Sequence, residues 1–228
     1  MIHDVIAWFR DGDHWHGPGG VPVLLGQHAL LTLVSMLIAL AVGLPVALWL
    51  GHRRRGGAFA VNLSNVGRAI PIVALLSLLS LGWFGTGTLG PFGRSGLATL
   101  VTLALFALPP IVTNTYTGMA DVDADLVEAA RGMGMSELDV LRRVELPLAV
   151  PLIVAGIRLA VVQVWATATI AALVAGPGLG RIIVHGYDSF QTAEVVAGSL
   201  IVAVVALALE LMFAALQKLM DPLPAGSR

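Results

Sequence analysis

Residues Glu128 to Pro147 read EAARGMGMSELDVLRRVELP and lie between two long apolar runs; they hold the densest charge in the second half of the chain. Asp121, Asp123 and Asp125 come just before, where negative charge suits the positive end of a helix dipole. Asp123 can cap a helix over Ala124–Arg131. Gly132 and Gly134 should break that helix, because glycine admits backbone angles that other residues resist. Ser136-Glu137-Leu138-Asp139 has the shape of a capping box, with Asp139 where Glu or Gln is usual. It opens a second short helix through Arg143. Leu138, Leu141 and Val144 then fall at three-residue steps on one face. Pro147 is placed to open the next long helix, where a missing N–H costs nothing. The stretch predicts a helix–turn–helix projecting from a membrane, with an apolar ridge and charged flanks. On these residues alone, an amphipathic loop resting on lipid headgroups remains an alternative.

The spacing narrows the choice. Glu128-Ala129-Ala130 is followed after three residues by Gly134, and nine residues later by Val144-Glu145-Leu146-Pro147. This resembles the EAA loop of ABC-importer permeases; Val144 stands where Ile is commoner. At roughly 5–10% usage per residue type, six fixed positions coincide by chance about once in a million. The resemblance implies a coupling helix that docks into a groove on an ATPase subunit. It assigns that contact to Glu128, Ala129, Ala130, Gly134, Leu138, Leu141, Leu146 and Pro147.

Composition agrees with a membrane chain. Of 228 residues, 57% are hydrophobic and 12% charged, against about 25% charged in soluble domains. Net charge is −1, which offers no field for nucleic acid. There is no cysteine, hence no disulfide, thiol nucleophile or thiolate metal site. The single lysine, Lys218, is in no Gly-Lys-Ser/Thr sequence, so a phosphate-cradling P-loop is excluded. ATP and Mg, if used, belong to a partner; no cofactor is expected in this chain.

Taken in order, residues 1–26 form an extracytoplasmic segment. Ile2, Val5, Ile6, Trp8 and Phe9 suit a short interfacial helix. The N-terminus does not read as a signal peptide, since it lacks positive charge and its first apolar run is late and long. Asp11, Asp13, His14 and His16 could ligate a metal, but in a Gly-rich loop they read better as solvated, and no metal is expected. Five spans of roughly 20 residues follow, at 27–50, 58–81, 95–119, 148–175 and 193–217, with outer loops at 82–93 and 176–191. One permease domain covers 27–220, its coupling loop 120–147, and 221–228 is a tail. Five spans put the N-terminus outside and the C-terminus in the cytoplasm. Arg53, Arg54, Arg55, Arg131, Arg142, Arg143, Lys218 and Arg228 then lie inside, against Arg10, Arg94 and Arg181 outside, as the positive-inside rule requires.

Three charges fall within spans, where each costs about 2.5–3.5 kcal/mol at the bilayer centre. At 1.5 Å per residue, Arg68, Arg158 and Glu210 all lie roughly 12–17 Å from the cytoplasmic face. Equal depth lets Glu210 neutralise Arg158 or Arg68; snorkelling of each arginine is the alternative. Pro71 and Pro109-Pro110 free carbonyls, which is tolerated where backbone lines a cavity or packs on protein. Asn65, Arg68, Pro71, Asn114, Thr115, Tyr116, Arg158, Gln163, Thr167 and Thr169 form a candidate substrate path. Ordinary interhelical hydrogen bonding, about 0.6 kcal/mol on average, is the better reading for any single polar one of them; as a set on the second, third and fourth spans they suit a translocation path.

Arg68-Ala-Ile-Pro71, Leu108 to Ala120 (LPPIVTNTYTGMA) and Gly178-Leu-Gly-Arg181 further resemble the osmoprotectant (glycine betaine, choline, carnitine) branch of binding-protein-dependent type I importers, over residues 27–220. The resemblance implies an all-α, polytopic permease with a second permease chain, two cytoplasmic ABC ATPases and an extracytoplasmic binding protein. Aromatics that would cage a quaternary ammonium are sparse at 6%, and methionine-type permeases are also short five-span chains, so amino-acid uptake is the alternative substrate class. A membrane enzyme finds no His-Glu-x-x-His or Gly-x-Ser-x-Gly here. A channel or osmosensor without an ATPase leaves the EAA-like spacing unexplained.

Overall fold

A computed structural model describes residues 1–57, 62 and 69–220. The fold is all-α and polytopic; among the described residues extended pairing is limited to one isolated bridge, Thr88 with Arg94. Helix α1 (Ile2–Arg10) buries Val5 and Trp8 and leaves Met1, Ile2 and Ile6 exposed. A 3-10 turn, Gly12–Trp15, leads to α2 (Val21–His52). Helix α3 (Ile72–Leu81) and two 3-10 turns, Trp83–Gly85 and Gly90–Phe92, precede α4 (Gly96–Ala120). Helix α5 (Ala124–Gly132) and the short α6 (Glu137–Val140) make the elbow. A π turn, Leu141–Glu145, joins α6 to α7 (Leu146–Thr167), which tightens into a 3-10 stretch, Ala168–Val174. Helices α8 (Gly180–Asp188) and α9 (Thr192–Met220) complete the described chain.

Among the described residues, four helical runs are long and apolar enough to cross a membrane: α2, α4, the continuous run Glu137–Val174, and α9 as far as Lys218. The core is the seam of α2, α4 and α7. Leu31, Met36 and Ala39 meet Leu100, Leu103, Ala104, Ala107 and Ile111, with Ala160, Val164, Ala168 and Ala171 closing the third side. The many alanines let helix backbones approach closely, which is how helices associate in lipid without a hydrophobic driving force. Gly156 of α7 is one tight case: a Cβ there would lie 2.6 Å from Asn114 Cβ and 2.8 Å from the Pro110 carbonyl oxygen. Helix α9 is mostly outward, packing on α7, α8 and α1.

Several expected boundaries move. The first span begins at Val21, not at residue 27, so the expected 1–26 segment includes the first turn of α2. Gly17-Pro18-Gly19-Gly20 ends the loop and Pro22 sits where proline favours a helix start. Of the expected span 58–81, residues 58–61 and 63–68 lie outside the described residues; beyond them Pro71 is extended and caps α3, whose ten residues reach only about 15 Å. The segment 176–191, expected as an outer loop, holds α8, which buries Ile182 and its capping residue Leu179. Pro147 sits in the first turn of α7, as expected, but the chain before it is already helical. The chain runs helically from Glu137 through it, and the widened turn just before it accommodates the absent N–H and the ring's clash with the preceding turn.

Candidate functional site

The elbow's geometry explains the spacing of its sequence. The Asp123 carboxylate accepts from the Asp125 N–H at 2.9 Å and starts α5. The helix runs through Gly132 and is stopped at Gly134, which has φ +84°. There the Met135 N–H donates to the Ala130 carbonyl (3.2 Å) and the Gly134 N–H to the Arg131 carbonyl (2.9 Å). These are the two bonds of a Schellman motif, with glycine in its left-handed position. Ala130 and Gly134 are therefore four residues apart because one supplies the carbonyl and the other the turn. Met135 completes the motif by packing with Val122, Val127, Ala130 and Val140 in a small core of the elbow's own. Next, Ser136 caps α6: its hydroxyl accepts from the Asp139 N–H at 3.2 Å and donates to the Asp139 carboxylate at 2.6 Å.

The apolar ridge differs from the expected one. Of Leu138, Leu141 and Val144, only Leu138 is exposed. Leu141 and Leu146 pack toward Met119, Ala149 and Ile153, and Val144 packs into the elbow's core. The π turn is the reason: it rotates the following residues off the three-residue register assumed for a plain helix. The exposed apolar residues are instead Leu126, Met133 (77% exposed) and Leu138. Glu128, Ala129, Gly134 and Pro147 are also exposed, whereas Ala130 is buried.

Polar contacts fasten the elbow to the end of α2. Arg131 and Glu137 form a two-pronged pair, 3.0 Å on each prong, and the carboxylate raises the pKa of the guanidinium. Glu137 also lies 3.3 Å from His52 Nε2. The other ring nitrogen, Nδ1, meets Glu145 at 2.5 Å. Glu145 is 1% exposed, and a buried carboxylate needs such a partner. Arg54 donates to the Val122 carbonyl at 2.5 Å. Sequence reading missed His52 and Glu145. The signal available was a lone glutamate between Val144 and Leu146, in an otherwise apolar approach to Pro147.

Within the spans, Arg158 meets Glu210 through both Nε (3.0 Å) and Nη2, and Nη1 donates to the Gln217 side chain at 3.2 Å. This ties α7 to α9. At the opposite end of α2, buried His28 lies 2.9 Å from the Trp165 carbonyl and edge-on to its ring, while the Trp165 indole N–H donates to the Val202 carbonyl at 3.0 Å. That chain joins α2, α7 and α9 and was not foreseen.

The path candidates divide. Asn65 and Arg68 lie outside the described residues. Asn114 donates to the Pro110 carbonyl at 2.8 Å, Thr167 to that of Gln163 at 2.5 Å, and Thr169 to that of Ala166 at 2.9 Å. These three are bonded within their own helical runs, not between helices as the bonding alternative expected. Thr115 is fully buried. Tyr116 and Gln163 are half-buried, and Pro71 is exposed ahead of α3. The N-terminal histidines are engaged locally: His14 stacks on Trp8 and His16 Nδ1 lies 2.7 Å from the Gly12 carbonyl. Among the described residues no group of three or more His, Asp or Glu side chains is placed to hold a metal ion.

Comparison with known proteins follows the same lines. The family model described as "binding-protein-dependent transport system inner membrane component" matches residues 39–224. The choline transport system permease protein OpuBD of Bacillus subtilis is 35% identical over 198 residues, covering 86% of this chain and 84% of that one. The carnitine transport permease protein OpuCD of Listeria monocytogenes is 32% identical over 197 residues, covering 86% and 84%. The osmoprotectant import permease protein OsmY of Salmonella typhimurium is 34% identical over 201 residues, covering 87% and 81%. Among solved structures, the inward-facing methionine ABC transporter MetNI superposes with a TM-score of 0.70 at 20% identity, over 88% of this chain and 96% of that one, a likeness of fold. The chain belongs to the binding-protein-dependent inner membrane components, as a multi-pass transport permease subunit of an ABC importer.

Proposed function

We propose that this permease passes a quaternary ammonium osmoprotectant, of the choline, glycine betaine or carnitine class, inward across the cytoplasmic membrane by alternating access. One observation carries the substrate class: the relatives above, at 32–35% identity over most of both chains, are named for choline, carnitine and osmoprotectant transport. In this reading a second permease chain completes the pathway and an extracytoplasmic binding protein delivers the solute. Two cytoplasmic ATPases hold ATP and Mg. The N-terminus lies outside and the tail inside, so the elbow faces the ATPase.

The elbow is built to transmit force. Exposed Glu128, Ala129, Leu126, Met133 and Leu138 form the docking surface, and Gly134 sets the angle between α5 and α6. Buried Ala130 holds the elbow's own core together, and half-buried Leu141 and Leu146 fix the elbow to α4 and α7. Movement pressed on the elbow reaches α2 through His52 and α7 through the unbroken helix from Glu137. The Arg158–Glu210 pair keeps two charges neutral as the helices shift, and Tyr116 and Gln163 face the path.

Reconstitution with the ATPase and binding protein in proteoliposomes tests the reading. ATP-dependent uptake of labelled choline, glycine betaine or carnitine is the expected result. Uptake of methionine with none of the three would replace the substrate class. Uptake without any ATPase would sink the coupling.

A further inference from the structure

Beside the elbow, Trp49, His52, Arg53, Arg54, Arg55, Arg131 and Glu137 line a cavity of about 560 Å³. Four guanidiniums face one carboxylate. Glu137 is already engaged by Arg131 and lies near His52. Arg54 is held by the Val122 carbonyl. Arg53 and Arg55 have no carboxylate partner among the described residues; Arg53 lies over the Trp49 ring, 4.9 Å from its centre. The cavity therefore carries uncompensated positive charge.

The backbone is shaped to hold it there. The Arg54 and Arg55 N–H groups donate to the Gly51 and Leu50 carbonyls, at 2.9 and 3.1 Å, closing α2 with a second Schellman motif. Its left-handed position, which favours glycine, is occupied by Arg54 at φ +48°. Glycine follows only at position 56. That turn gathers Arg53, Arg54 and Arg55 around the cavity.

We propose that this cavity binds the phosphate of an anionic phospholipid in the adjoining leaflet. Guanidinium forks match phosphate geometry with paired hydrogen bonds, and basic clusters directly flanking a membrane helix attract anionic headgroups. A lipid is favoured over a soluble anion by the face that leads to the cavity. Val42, Val46 and Trp49 recur at helical spacing on α2, all exposed, and end at the arginines. The valines offer an acyl chain an apolar track, and Trp49 stands where tryptophan marks the headgroup level.

The test uses the full-length chain in neutral detergent, titrated with phosphatidylglycerol or phosphatidylcholine and read by native mass spectrometry. Phosphatidylglycerol should be retained at least about tenfold more tightly than phosphatidylcholine. The double variant Arg53→Gln/Arg55→Gln should lose that preference, while Arg10→Gln/Arg94→Gln, with the same change in net charge, should keep it. A photoactivatable phosphatidylglycerol on the unaltered chain should label the peptide around residues 42–55, a readout that does not depend on how the variant folds. Equal retention of the two lipids, an unaffected double variant, or labelling elsewhere would overturn the proposal. Full displacement by millimolar inorganic phosphate would assign the cavity to a soluble anion instead. None of these readouts depends on the transported solute, so the osmoprotectant reading can fail while this one stands.

Discussion

Glu145 is the residue on which the elbow's attachment turns. It is buried, and among the described residues its side chain is partnered by His52, at 2.5 Å. Replacing one member of a buried hydrogen-bonded pair strands the other, at a cost of about 1–3 kcal/mol. Glu145→Ala should therefore lower the unfolding temperature in detergent measurably, whereas Glu145→Gln keeps an acceptor for the ring and should lose less. Equal losses would show that charge, not the hydrogen bond, matters there. Gly134 makes a different demand. A Cβ at that position meets nothing within 4 Å, so the penalty for substitution is purely one of backbone angle. Gly134→Ala should destabilise by about 1–2 kcal/mol, with Gly134→Asn milder and Gly134→Val worse. Thermal melts of the three variants give the ranking, and a flat series would mean that the turn is not held in the left-handed region.

Helix α7 does two jobs at once, and each gives a prediction. Against α4 it depends on Gly156. A side chain there collides with Asn114 and the Pro110 carbonyl, one of them backbone, so Gly156→Ala should cost about 1–3 kcal/mol and Gly156→Leu more. Against α9 it depends on Arg158 and Glu210. Glu210→Gln alone leaves Arg158 without its carboxylate partner and should lower the unfolding temperature in detergent. Arg158→Gln with Glu210→Gln should recover most of that loss in a double-variant cycle, and purely additive losses would show that the two do not act together. Helix α2 links distant regions: His28 near one end and His52 at the other are about 36 Å apart along its axis. The first fastens it to α7 and the second to the elbow.

For the whole molecule, orientation is the claim on which the functional reading rests. The chain has no cysteine, so single cysteines can be introduced without background. A cysteine replacing Ser136 should react with a membrane-impermeant maleimide only after the inner face is opened, and one replacing Gln191 should react from outside. The reverse pattern would place the elbow on the wrong side for an ATPase. Met133→Glu with Leu138→Glu should abolish co-purification of the ATPase while leaving the melting temperature unchanged, since both side chains are exposed. Retained co-purification and full transport would move the docking surface elsewhere.

What the amino-acid sequence determined by itself was whatever rests on local chemistry or on counting. Apolar run length identified the long spans, and the arginine imbalance supplied the expected orientation. The Ala130-to-Gly134 spacing encodes a Schellman turn, which is why the elbow was legible before any fold was known. Tertiary structure alone decided which elbow residues face outward. A π turn ahead of Pro147 shifts the helical register, and no pattern of apolar residues announces it. Only the fold could bring His52 to Glu145 or His28 to Trp165, because those partners are 93 and 137 residues apart. It also showed that Asn114, Thr167 and Thr169 bond within their own helices. A polar side chain in a span reads the same in sequence whether it faces a cavity, a neighbouring helix or its own preceding turn; helix rotation makes that choice, and packing sets the rotation.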